Sequence, residues 1–245
     1  MTETVAPVQP MSLFARAIGI ITAPKATYEN VVAAPRPFGI LFVCALLIGI
    51  GGTIPQLTEQ ARTKGLEAQI NGMERFGVTV TPEMRQQFEV QSHNKTIKIV
   101  TGVLGPLIMI PIFALLLTAI FWAAFNAMLG GTATFKQVLA VTSHSYVITA
   151  LAVIASAPIL YFNFQMVPGG PFNLGALVPM LDDSSAIKGF LSAISVFSLW
   201  AWASVGIGLS VLYRRNPRNI VIVMIVVALL FAFAFSSLFS AFRGN

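Results

Sequence analysis

Several separate apolar runs, each near or above the roughly 18 to 20 residues that carry a helix across about 30 Å of hydrocarbon, constrain this chain more than any other feature. A soluble core would be cut into shorter periodic pieces. The runs lie at about 38–55, 99–129, 138–160, 187–213 and 220–242. Composition agrees: with 56% hydrophobic and only 10% charged residues over 245 positions, the chain is too apolar for a water-soluble domain. The predicted fold is an all-α, polytopic membrane helix bundle of about five transmembrane helices, with a helical hairpin outside the membrane.

The first run begins behind Glu3, Arg16, Lys25, Glu29 and Arg36, a poor placement for a cleaved signal peptide, so it reads as an uncleaved first span. It contains the single cysteine, Cys44, which has no partner for an internal disulfide and reads as a packing residue. Ala45, Gly49 and Thr53 form a small-residue stripe suited to close helix contact. The basic residues that give the net charge of +6 are scattered among the ends of apolar runs, which excludes a nucleic-acid patch and predicts membrane-flanking charge.

Residues 1–37 read as a cytoplasmic segment ahead of a membrane domain at 38–242, into which a hairpin is inserted at 56–98. Residues 1–10 are polar and contain proline, the signature of a disordered start. From Ser12 onward, Leu13, Phe14, Ala17, Ile18 and Ile21 recur at helical spacing, which predicts an amphipathic helix lying in the interface. A second short helix starts at Pro24, with Tyr28, Val31 and Val32 on one face. In the hairpin, Leu57, Ala61, Leu66, Ile70, Met73 and Phe76 follow helical steps, and the pattern restarts at Pro82 behind Thr81. The second apolar run carries Pro106 and Pro111 and predicts a kinked or tilted span. Residues 161–186, apolar but rich in proline and glycine, cannot form a plain helix and should fold back onto the membrane or dip in where protein covers their backbone.

Read with those spans, RAIGIITAPKATYE at 16–29, the Gly105-Pro106-Leu107 triplet, GGTATFKQVLAVTSHSY at 130–146, NLGALVP and SVFSLWAWASVGIGLSVLY together resemble the bacterial branch of the Yip family, the Ypt/Rab-interacting membrane proteins. The triplet lacks the acid and tyrosine that precede it in the family motif. A Gly-Tyr-Gly motif near the third span is reduced to Ser145 and Tyr146, and Ser195 stands where bacterial relatives often have an acid. The resemblance implies five spans with a cytoplasmic amino terminus, and roles in protein binding and membrane traffic rather than chemistry.

No P-loop, HExxH, GxSxG or CxxC occurs, so the common hydrolase, metalloprotease and dithiol signatures are missing, and the reading is non-enzymatic, without cofactor or metal. His93 and Glu89 share a polar helix face and read as a solvated pair, and Asp182 and Asp183 read as caps acting through Ser184 and Ser185. The candidate functional residue is His144, because an ionisable ring inside a span is costly and needs a partner. Asn126 is the expected partner, with Tyr146 and the serines of the fourth span, Ser195 among them, nearby. The fifth span's Phe231, Phe233, Phe235, Phe239 and Phe242 read as lipid-facing bulk. The function that follows is a membrane scaffold in the bilayer that binds other membrane proteins or itself as a homo-oligomer, with a small-solute, ion or lipid transporter as the alternative.

With the amino terminus inside, Arg16, Lys25, Arg36, Lys136, Arg214, Arg215 and Arg218 fall on the cytoplasmic side and the base-free loop 161–186 outside, but the hairpin also puts Arg62, Lys64, Arg75, Arg85, Lys95 and Lys98 outside, so the bases alone nearly tie. The tight basic turn RRNPRN at 214–219 and the charge balance of the hairpin favour the amino terminus inside and the carboxyl terminus outside a bacterial inner membrane. Single cysteines in a Cys44→Ala background test this: a cysteine at Asn216 should react with a membrane-impermeant reagent only after the cytoplasmic side is opened, and one in the hairpin 56–98 should react in intact cells. The reverse pattern overturns the orientation.

Overall fold

The computed structural model describes residues 9, 11–75, 77–163, 170–181 and 185–243. Expectations for residues 1–8, Pro10, Phe76, Asp182, Asp183 and Ser184 lie outside the described residues, as do the side chains of Phe235, Phe239 and Phe242. Ten α-helices and one 3-10 turn make up the described architecture, and the fold is an all-α polytopic helix bundle. By contact clustering the chain forms two compact units, one of residues 1–44, 109–149 and 200–227, the other of residues 45–108, 150–199 and 228–245.

The first unit starts with α1 (Leu13–Thr22) and α2 (Pro24–Ala33). Ser12 caps α1 by accepting from the Ala15 N–H at 3.2 Å, and Pro24 opens α2 where its missing N–H costs nothing. The two pack so closely that a Cβ on Gly19 would collide with Thr27. The unit also holds the start of α3 (Pro37–Gln56), the end of α6 (Lys95–Leu129), the start of α7 (Phe135–Phe162), most of α9 (Val196–Leu212) and the start of α10 (Pro217–Arg243). Thr134 and Gln137 close a reciprocal capping box at the head of α7: the Gln137 N–H donates to Thr134 Oγ1 at 3.3 Å and the Thr134 N–H to Gln137 Oε1 at 3.0 Å. Gly206 meets Val221 and Met224 of α10, and Gly208 meets Val141 of α7 and Tyr28 of α2, so larger residues would force these helices apart.

α9 closes with the two bonds of a Schellman turn, Arg215 N–H to the Ser210 carbonyl at 2.9 Å and Arg214 N–H to the Val211 carbonyl at 3.3 Å. That turn puts Arg214 at φ 51°, a left-handed conformation that costs a residue with a Cβ about 1 to 2 kcal/mol. After α4 and after α6 the same need for positive φ is met by Gly77 and Gly130.

In the second unit, the stripe on α3 does what its spacing predicts: Gly49 lies against the backbone of Val103 and Thr53 against Gly102, both on α6. α4 (Glu59–Arg75) and α5 (Pro82–His93) form the hairpin, with Ala61 and Ile70 buried, Leu57, Leu66 and Met73 half-buried, and no residue of α5 buried. Thr81 caps α5 through the Met84 N–H. The Arg62 guanidinium grips Glu59 one turn earlier and holds that carboxyl below its usual range. α6 runs unbroken over Lys95–Leu129 despite Pro106 and Pro111.

The expected fourth span at 187–213 is not one helix. It divides into α8 (Ala186–Ala193) and α9, with Ile194 and Ser195 extended between them. Ser195 is the N-cap of α9: its Oγ accepts from the Ser198 N–H at 2.9 Å while Ser198 Oγ accepts from the Ser195 N–H at 2.8 Å. The carbonyl of Ile194, freed by the break, accepts from the Leu174 N–H at 2.9 Å, and Asn173 pairs with Ser195 in an isolated bridge. The loop ahead of α8 thus folds onto the gap and satisfies it, as backbone withdrawn from water requires.

Among the described residues four helices are long and apolar enough to cross a membrane, at Pro37–Gln56, Lys95–Met128, Phe135–Phe162 and Pro217–Ala234, with α9 shorter at 17 residues. In α7 61% of the apolar window is buried within the protein, against 11% in α6 and α10, so α7 is the core helix while the other two turn apolar side chains outward. If the Ser195 cap holds the α8–α9 break, Ser195→Ala should lower stability by about 1 kcal/mol and Ser195→Asp should preserve it, since a carboxylate also caps a helix amino terminus. Thermal unfolding of the detergent-solubilised protein checks this, and equal behaviour of the two variants refutes the cap.

Candidate functional site

His144 lies two turns into α7 and is buried. Its Nδ1–H donates to the Ala140 carbonyl on its own helix at 2.7 Å, so the expected bond to Asn126 is not formed. A helix carbonyl one turn back keeps a free lone pair within reach of the ring, and the Ala140 carbonyl supplies it. Ser143 Oγ beside it and Thr118 Oγ1 on α6 are buried without a partner among the described residues.

Asn126 instead clamps the turn between α6 and α7. Its Nδ2 donates to the Ala133 carbonyl at 3.1 Å, and its Oδ1 accepts from the Tyr213 hydroxyl at 2.9 Å. Trp122 Nε1 donates to the same Ala133 carbonyl at 2.9 Å. One turn is thereby fastened both to α6 and to the end of α9, and Gly131 is where the Tyr213 ring passes, leaving no room for a side chain.

The charged centre of the site is Arg16, the one charged residue of α1. It is only 2% exposed, whereas Phe14 is 74% exposed and Leu13, Ile18 and Ile21 also face outward. The helix has turned its cation into the protein and its apolar side out, the orientation of a helix seated in an interface. The guanidinium Nη2 donates to Asn30 Oδ1 and to the Ala34 carbonyl, both at 3.0 Å, while its Nε has no partner among the described residues. Burial first, and the charge of Arg36 second, push its pKa below the ordinary value. Asn30 also accepts from the Met11 N–H and donates to the Gln9 carbonyl, each at 3.0 Å, so one amide ties the chain start, α1 and α2 together. Arg16 and His144 are close enough to interact electrostatically. From α2, the wholly buried Tyr28 hydroxyl bonds Ser204 of α9 at 2.8 Å. Residue-by-residue reading missed Arg16, Asn30 and the Tyr28–Ser204 pair. Their signal was the spacing of Arg16, Gly19 and Ile20 on one helical face.

Tyr146, half-buried, packs on the cluster of Leu41, Ala114 and Leu139 and helps to line a cleft of about 140 Å³ with Phe121, Thr142, Ser145 and Trp202. The Phe121 and Trp202 rings meet edge to face at 6.1 Å. The Thr142 and Ser145 hydroxyls donate to carbonyls of their own helix, at 3.1 and 2.7 Å, leaving the cleft mainly apolar. Ser195 acts as the α9 cap described above and does not join His144. Gly105, Pro106 and Leu107 sit half-buried inside α6, and nothing crowds Gly105. His93 bonds the backbone carbonyl of Glu89 at 2.9 Å rather than its carboxylate. Among the described residues no group of three or more His, Cys, Asp or Glu side chains is placed to hold a metal ion.

No solved structure matches the chain. It is 21% identical over 198 residues to "Membrane protein YknW" of Bacillus subtilis (strain 168), an alignment covering 78% of this chain and 75% of that protein. The family model described as the Yip1 domain matches residues 18–238, a range that takes in half of α1, the helices that carry Tyr28, Asn126, His144 and Ser204, and most of α10. This integral membrane chain belongs to the Yip1 domain family.

Proposed function

We propose that the protein is a non-enzymatic membrane scaffold, which binds other membrane proteins or itself through its apolar helix faces. The observation that carries this reading is how its buried polar side chains are used. Arg16 and Asn30, Tyr28 and Ser204, and Asn126 and Tyr213 are all engaged in bonds that fasten one element to another. Such bonds contribute about 0.6 to 2 kcal/mol each in a membrane and fix a shape without providing a route for solute. The surface left to partners is the outward apolar side of α6 and α10. In this reading residues 1–37 lie on the cytoplasmic face of a bacterial inner membrane. Residues 38–242 form five spans, with the hairpin 56–98 and the carboxyl terminus outside. The fifth crossing is α9, whose 17 residues rise about 25 Å, extended by α8.

The cleft beside Tyr146 and the buried ring of His144 favour a second reading, a transporter of a small solute, ion or lipid. Two measurements on the reconstituted protein separate them. The scaffold reading expects no proton or solute flux across a pH step, and discrete protein adducts from a photo-crosslinking residue at Ile108 on α6 or Ile222 on α10. A flux in the wild type that vanishes in His144→Phe, with only lipid adducts at both positions, replaces the scaffold with the transporter.

A further inference from the structure

Charge in this chain is concentrated. The unit made of residues 1–44, 109–149 and 200–227 contains seven bases against two acids, Glu3 and Glu29, a net +5 out of the chain's +6. The other unit, with eight bases and seven acids, is nearly neutral. Arg16 is buried, and the remaining six bases are exposed at helix ends: Lys25 in the first turn of α2, Arg36 between α2 and α3, Lys136 in the first turn of α7, and Arg214, Arg215 and Arg218 around the α9–α10 turn. None of the six side chains has an ion-pair or hydrogen-bond partner among the described residues. The same unit presents the exposed apolar side of α1.

Topology signals place bases in these turns, and one of them, Arg214, stands in the left-handed conformation that Gly77 and Gly130 adopt elsewhere in the chain, where glycine would relieve strain. Six unpaired cations and an apolar helix face in one unit match an anionic amphiphile, with phosphate for the guanidinium and ammonium groups and acyl chains for Leu13, Phe14, Ile18 and Ile21.

We propose that this unit binds anionic phospholipid: the outward side of α1 lies among the acyl chains, and Lys25, Arg36, Lys136, Arg214, Arg215 and Arg218 hold the phosphate headgroups. The site stands whether the protein scaffolds or transports. The test is thermal unfolding of the full-length protein in neutral detergent with added phosphatidylglycerol or phosphatidylcholine. Phosphatidylglycerol should raise the midpoint by several degrees and phosphatidylcholine should not, and the rise should collapse in 1 M salt, where the screening length is about 3 Å. Arg214→Gly with Arg215→Gln and Arg218→Gln should lose at least half of the rise while unfolding, without lipid, no earlier than wild type, because glycine removes the strain. If that variant does not fold, Lys25→Gln with Arg36→Gln and Lys136→Gln is read in the same way. Equal response to the two lipids, an undiminished response in the variants, or the same rise with inorganic phosphate alone overturns the proposal.

Discussion

A polar group withdrawn from water must find its partner within the protein, and in a chain this apolar that constraint decides where every departure from plain helix can occur. At the α8–α9 break Ser195 and Ser198 cap each other's backbone while Leu174 reaches in for the Ile194 carbonyl. In the α6–α7 turn the Ala133 carbonyl receives Trp122 and Asn126 together. Where α1 meets α2, Asn30 takes the Arg16 guanidinium and the Met11 N–H. Each of these three segments thus carries its own closing side chain, and in the last two the side chains also bind helices together.

Ser195 shows how a motif position can change without losing its physical task. The resemblance drawn from sequence puts an acid at this place in bacterial relatives, and an acid lost from a span suggests a lost ionic function. The structure places the residue at a helix amino terminus, where a hydroxyl and a carboxylate both accept from the free backbone N–H groups, the carboxylate gaining in addition from the helix dipole. The break in the fourth span needs an acceptor there and does not need a charge.

The sequence made the architecture legible wherever the signal was local. Apolar runs marked the long helices, the spacing of Ala45, Gly49 and Thr53 marked the close approach to α6, and Thr81 followed by Pro82 marked the start of α5. It failed where two segments distant in sequence compete for one acceptor. Asn126 near the end of α6 and His144 two turns into α7 flank one short turn, which made each a plausible partner for the other in sequence. His144 takes a carbonyl from its own helix, and Tyr213, 87 residues beyond Asn126, takes the amide. The α8–α9 break was hidden for another reason: hydropathy is blind to a Ser-x-x-Ser box inside an apolar run. Arg16 stood out in the sequence only as the lone charge of an amphipathic run. The structure turns it inward with Gly19 and Ile20, because its acceptors, Asn30 and the Ala34 carbonyl, belong to the next helix.

That inward turn governs what the amino-terminal pair can do. A guanidinium buried beside a carboxylate forms a neutral unit, but Arg16 is held through Nη2 by an amide oxygen and a backbone carbonyl, which leave its charge uncompensated. Burial of a group so held is costly, and the cost is offset only while Asn30 and the end of α2 remain in place. Displacing α2 would at once strip the acceptors from Arg16 and break the Tyr28–Ser204 bond to α9. α1, α2 and the membrane helices are therefore coupled through two polar contacts. The outward display of Leu13, Phe14, Ile18 and Ile21 then follows from where the arginine must sit, since on a ten-residue helix fixing one side chain inward fixes the direction of all the others.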